Sequence, residues 1–120
     1  MRETIYESEI KVLKILWRDG KVSARDLAVE LNESTGWSKT TSYTVITRCV
    51  AKGLILREED NFNCHAAVTE EEARRNEIEI LANKLFDGSS DLLMASLLGA
   101  NDITPEQIGA LRVLAQEFLM

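Results

Sequence analysis

The chain has 120 residues, room for one ordinary domain or for a small head with a short helical tail, and too few for a separate catalytic domain besides. Its 45% apolar and 28% charged residues belong to a folded globular chain rather than a disordered or fibrous one. The net charge of −6 looks unfavourable for a partner rich in phosphate, but residues 1–68 balance ten bases against ten acids, while residues 69–120 set four bases against ten acids and carry the whole excess.

From Glu7 to Asp19, Ile10, Leu13, Leu16 and Trp17 recur at three- and four-residue steps and predict a first helix that stops at Gly20. The extended pair Lys21-Val22 leads to Ser23, a helix cap with Asp26 three residues on. Ala24, Leu27, Ala28 and Leu31 then form the inward face of a second helix, followed by a turn-forming linker over residues 32–36.

A third helix starts near Ser38 and ends at Gly53, with Thr41, Val45, Ile46, Cys49 and Val50 as its expected buried stripe. This leaves Thr40, Tyr43, Thr44, Thr47 and Arg48 on the outer face. Leu54–Arg57 and Phe62–Val68 read as the two strands of a hairpin whose turn holds Glu59, Asp60 and Asn61.

In the tail, Thr69 and Glu72 form a capping box for a long helix through Ile78, Leu81, Leu85 and Phe86, closed by Asp87-Gly88. Ser90 is the expected cap of a helix bearing Leu92, Leu93, Met94, Leu97 and Leu98. Thr104, Pro105 and Gln107 open a last helix with Ile108, Leu111, Leu114, Ala115 and Phe118. About 50 residues bury too little surface to stand alone, so a homodimer through Leu92, Leu93, Leu97, Leu111, Leu114 and Phe118 is expected. The expected fold is thus mainly α: a winged helix-turn-helix head of three helices and a small antiparallel β wing over residues 1–68, then a helical dimerisation tail over 69–120.

Such a head reads DNA by laying its third helix in the major groove while the hairpin reaches the flanking backbone. Ser38, Thr40, Thr41 and Thr44 supply short polar groups near the start of that helix with Tyr43 beside them, and Lys39, Arg48 and Lys52 add cations for phosphates. Ser34 to Arg57 contains no acid, so the local face is positive whatever the whole-chain charge. Double-stranded DNA is the expected partner.

The strings Ile10-Lys-Val-Leu-Lys-Ile-Leu-Trp17, Ser23-Ala-Arg-Asp-Leu-Ala28, Thr35-Gly-Trp-Ser-Lys-Thr-Thr41 and Lys52-Gly-Leu54 resemble the penicillinase-repressor family (BlaI/MecI/CopY), dimeric winged-helix repressors of bacteria. Leu85-Phe-Asp-Gly-Ser89 and Thr104-Pro-Glu-Gln-Ile108 are similar to that family's dimerisation region. The resemblance implies a sequence-specific repressor acting as a homodimer on an inverted-repeat operator.

Departures from the family stand out. Tyr43 replaces a usual base, Tyr6 stands where a capping Ser or Thr is common, and Glu58-Glu59-Asp60-Asn61-Phe62-Asn63 replaces a wing rich in Gly, Arg and Tyr. Operator preference is therefore expected to differ from the usual TACA-type dyad. The family's Asn-Phe cleavage bond would fall near Ser96-Leu97, where it is absent, and Asn61-Phe62 in the hairpin reads as chance. The carboxy-terminal Cys-x-Cys of the copper-responsive branch is missing too. Neither an inducer nor a sensor protease is assigned.

Other classes weigh less. An acidic wing also suits a winged-helix protein-interaction module without DNA affinity. A single His, no glycine-rich phosphate loop and no paired acids beyond surface runs argue against an enzyme. Cys49 and Cys64 lack metal-ligand spacing and are expected reduced, His65 and Cys64 point to opposite faces of a strand, and Glu70-Glu71-Glu72 suits a helix's first turn, so neither metal nor cofactor is expected. No apolar run nears the roughly 20 residues of a membrane span, and Met1-Arg2-Glu3-Thr4 is unlike a signal peptide, so the expected location is the cytoplasm.

Overall fold

The computed structural model describes residues 3–99, 104–107, 109–110 and 112–113. Its elements are α1 (Glu7–Asp19), β1 (Lys21–Ser23), α2 (Ala24–Thr35), α3 (Lys39–Ala51), β2 (Ile55–Arg57), β3 (Asn63–Ala66), α4 (Glu70–Leu85) and α5 (Ser90–Leu98). The chain divides into two compact units, Met1–Glu77 and Ile78–Met120.

Helices in the first unit begin and end where local chemistry satisfies their free backbone groups. Ser23 Oγ accepts the Asp26 N–H at 3.1 Å, and Ser38 Oγ accepts that of Thr41 at 3.1 Å. Before α1, the Glu9 carboxylate takes the cap's work by accepting the Tyr6 N–H at 2.8 Å. Helix α2 runs through Thr35, four residues into the expected linker, and stops on Gly36 at φ 79°, a left-handed value that glycine adopts without strain.

Packing completes what the caps begin. Val12, Leu13 and Leu16 of α1, Leu27 and Leu31 of α2, and Ile46 and Cys49 of α3 close on Leu54, Ile55 and Cys64. The buried stripe of α3 is Ser42, Val45, Ile46 and Cys49, whereas Thr41 is exposed and Val50 only partly covered. The helix is thus rotated from the expected stripe, because Ser42 is small enough to sit inside.

The sheet has three strands in the order β1-β3-β2, all antiparallel. Val22 lies opposite Cys64, and Ile55 opposite Ala66, so the extended pair before α2 is a true strand and β3 is paired on both sides. Phe62 has φ 54° and ends the extended backbone, so β3 spans Asn63–Ala66 and is shorter than expected at both ends. Its carbonyl accepts the Ala24 N–H at 3.0 Å, which ties the wing to the start of α2.

The first unit also takes in the start of α4. Thr69 and Glu72 form the expected capping box at 3.0 and 3.2 Å, Ala73 joins the head core, and Asn76 Nδ2 donates to the Glu3 carbonyl at 3.0 Å.

In the second unit Ser89, not Ser90, caps α5, accepting the Leu92 N–H at 3.1 Å. Thr104 and Gln107 exchange hydrogen bonds at 2.9 and 3.1 Å, and residues 105–107, 109–110 and 112–113 are helical. Ala82 and Leu93 are buried, while Ile78, Leu81, Leu85, Leu92, Met94, Leu97, Leu98 and Val113 are exposed. No helix among the described residues is long and apolar enough to cross a membrane.

Candidate nucleic-acid interface

The outward side of α3 gathers the predicted reading residues. Lys39, Thr40, Tyr43, Thr44 and Thr47 line one open concavity, and Lys39 Nζ stands 5.8 Å from the centroid of the Tyr43 ring. The Thr44 hydroxyl donates to the Thr40 carbonyl at 2.9 Å, which leaves its oxygen lone pairs and methyl group outward. Ser38 and Thr41 lie at the helix start, but the Ser38 hydroxyl also donates to Thr41 Oγ1 at 3.0 Å, so this pair is largely occupied in capping. Thr47, already placed on the outer face by its spacing, shares the concavity although it was not among the chosen contacts.

Arg25 had no place in the sequence-derived set. It lines a second concavity with Ala28, Val29, Asn32, Glu33 and Lys39, beside the start of α3. Its position on the exposed side of α2 was readable from the helix period, but its nearness to Lys39 depends on how α2 packs on α3.

Arg48 and Lys52 are placed otherwise than expected. Arg48 Nε donates to Glu9 Oε2 at 3.0 Å and its Nη2 to Ser8 Oγ at 2.6 Å. Lys52 Nζ donates to Glu9 Oε1 and to the Thr4 carbonyl, both at 2.7 Å. The Tyr6 ring lies under both cations, 5.8 Å from Arg48 and 4.6 Å from Lys52. The Glu9 side chain is fully buried and that of Lys52 is 15% exposed. Burial pushes the Glu9 carboxyl up, yet the hydrogen bonds from Lys52, the Tyr6 N–H and Arg48 outweigh it and hold the group below its ordinary 4.5.

Two of the wing acids differ from the third. Glu58 pairs with Lys21 across the sheet, a hydrogen bond that lowers its pKa, while Glu59 and Asp60 stand exposed at the tip beside an exposed Phe62. Cys49 and Cys64 are buried free thiols. Burial, then the Glu9 charge, pushes Cys49 up to about 12, and burial raises Cys64, so both stay protonated and poorly nucleophilic. Among the described residues no group of three or more His, Cys, Asp and Glu could hold a metal ion.

Three helices, a three-stranded sheet and a hairpin wing, with α3 turned outward, define a winged helix-turn-helix protein. The family model for the penicillinase repressor matches residues 5–117, and the chain belongs to that family.

It is 29% identical over 110 residues to the methicillin resistance regulatory protein MecI of Staphylococcus aureus strain N315, covering 90% of this chain and 89% of that one. To the penicillinase repressor of Bacillus licheniformis it is 20% identical over 115 residues, covering 94% and 90%. A solution structure of Bacillus licheniformis BlaI, in monomeric form with the blaP half-operator, shares the fold with a TM-score of 0.52 at 23% identity, over 60% of this chain and 90% of that one.

Proposed function

We propose that this chain is a cytoplasmic transcriptional repressor that binds duplex DNA as a homodimer, reading an inverted-repeat operator with α3. The observation that carries the reading is the outward patch of Lys39, Thr40, Tyr43, Thr44 and Thr47, in a stretch from Ser34 to Arg57 without an acid. Membership of a repressor family and a structural neighbour bound to a half-operator support it. Lys39 and Arg25 meet phosphates, Thr40, Tyr43 and Thr44 meet base edges, and Ser38 and Thr41 hold the helix start against the backbone. The exposed apolar side chains of the second unit, Leu92 and Leu97 among them, supply the dimer contact.

The test is a duplex selected by the chain from a random library. Thr40→Ala and Thr44→Ala each cost about 1–3 kcal/mol on the selected duplex and little on a mixed-sequence one. Inserting half a helical turn between the half-sites rotates one to the opposite side and removes the gain from the second head. Equal losses on both duplexes would show that α3 does not read bases, and no binding even at low salt would favour the protein-interaction module.

The wing makes a separate prediction. In this reading Glu59 and Asp60, exposed at the wing tip and in no ion pair among the described residues, face the phosphate backbone, so Glu59→Gln with Asp60→Asn strengthens duplex binding, more at low salt where screening is weakest. Titrations at two salt concentrations check this, and weaker binding would mean that the acids make favourable contacts.

A further inference from the structure

We infer that Glu9 is a positioning residue for DNA recognition: it takes Arg48 and Lys52 out of the phosphate-binding set and uses them to hold α3 against α1. The inference rests on the DNA-binding reading above. Both carboxylate oxygens are engaged, Oε1 by Lys52 and the Tyr6 N–H and Oε2 by Arg48. Lys52 spends a second proton on the Thr4 carbonyl, and Arg48 a second nitrogen on Ser8. A phosphate would have to compete with a buried carboxylate that already takes a short charge-assisted bond from each cation.

Geometry gives the clamp its consequence. Arg48 and Lys52 lie at the carboxyl end of α3, whereas Thr40 and Thr44 lie toward its amino end. At 1.5 Å per residue the reading end stands about 12 Å from the clamp, so a tilt of about 15° there moves Thr40 by about 3 Å, beyond hydrogen-bond tolerance. Removing the carboxylate therefore costs sequence discrimination, although Glu9 is buried within the head.

The experiment measures binding of the full-length chain to a mixed-sequence duplex and to the library-selected duplex over a range of salt concentrations. Lys39→Ala lowers the slope of log affinity against log salt by about 0.9, as loss of one phosphate contact should. Arg48→Met and Lys52→Met leave that slope unchanged. Glu9→Gln lowers the ratio of selected to mixed-sequence affinity about tenfold, the scale of one lost base contact. A slope reduced by about 0.9 in either methionine variant, or an unchanged ratio in Glu9→Gln, overturns the inference. Should Glu9→Gln not fold, Arg48→Met decides alone, with an unchanged slope and a lowered ratio of selected to mixed-sequence affinity expected, because the Arg48 side chain is 42% exposed and tolerates replacement; a reduced slope or an unchanged ratio overturns the inference. A wild-type chain that binds neither duplex would instead defeat the DNA-binding reading itself.

Discussion

Leu92→Asp combined with Leu97→Asp turns the full-length chain into a monomer and lowers its affinity for an inverted-repeat duplex about 10²–10⁴-fold, the gain that linking two binding heads provides. Leu92 is 54% and Leu97 49% exposed, so neither substitution removes a core side chain. A carboxylate at each site would have to be desolvated in a dimer contact, which is costly unless it is paired there. Affinity for a duplex with a single half-site stays the same, because the head is untouched. Sedimentation and half-site titration together check this, and a dimer that survives both substitutions would place the contact elsewhere.

Leu93 was expected on the same face, yet it is only 8% exposed. Leu93→Asp therefore damages folding rather than association, and should not serve as an interface probe. Leu111, Leu114 and Phe118 lie outside the described residues.

Glu9→Ala lowers the stability of the head by about 3 kcal/mol, the low end for breaking a buried ion pair from one side. The low end applies because Arg48 is partly exposed and can turn toward water, whereas Lys52 cannot easily do so. Replacing the whole set, Glu9→Leu with Arg48→Met and Lys52→Met, recovers most of the loss, since no charge is then left buried without its partner. Trp17 and Trp37 both lie in the head, so denaturant unfolding followed by tryptophan fluorescence reports on it.

The same carboxylate sets a pH dependence. Its folded pKa is below the ordinary 4.5, so the unfolded chain takes up the proton first as pH falls. The ionised group stabilises the fold above about 4.5, and that contribution is lost as pH drops through the folded value. The stability difference between wild type and Glu9→Gln shrinks over this window. A difference that grows on acidification would show that the carboxyl is held protonated.

Much of the helical scaffold was legible because its determinants act within one turn. Ser23 and Thr69 cap their helices as their spacing predicts, and the α2 face of Ala24, Leu27, Ala28 and Leu31 is buried as its period requires. Ser90 was misread for Ser89, and Thr41 for Ser42, since two adjacent serines or a small hydroxyl beside a threonine offer no pattern to separate them. Glu9 escaped notice for a different reason: an acid in the first turn of a helix needs no partner to be explained, and its partners Arg48 and Lys52 are 39 and 43 residues away.

By itself, then, the sequence determined the helix periods, the caps, the acid-free stretch around α3 and the apolar excess of the tail, all of them properties of neighbouring residues. Only the tertiary structure decided that Lys21–Ser23 joins the sheet, that Leu93 turns inward, and that Lys39 and Arg25 share an open face while Arg48 and Lys52 are bound to Glu9. A cation has the same formal charge wherever it stands in a sequence. Whether it can neutralise a phosphate depends on which carboxylate the packing brings within about 3 Å of it, and that distance is set by contacts between helices far apart along the chain.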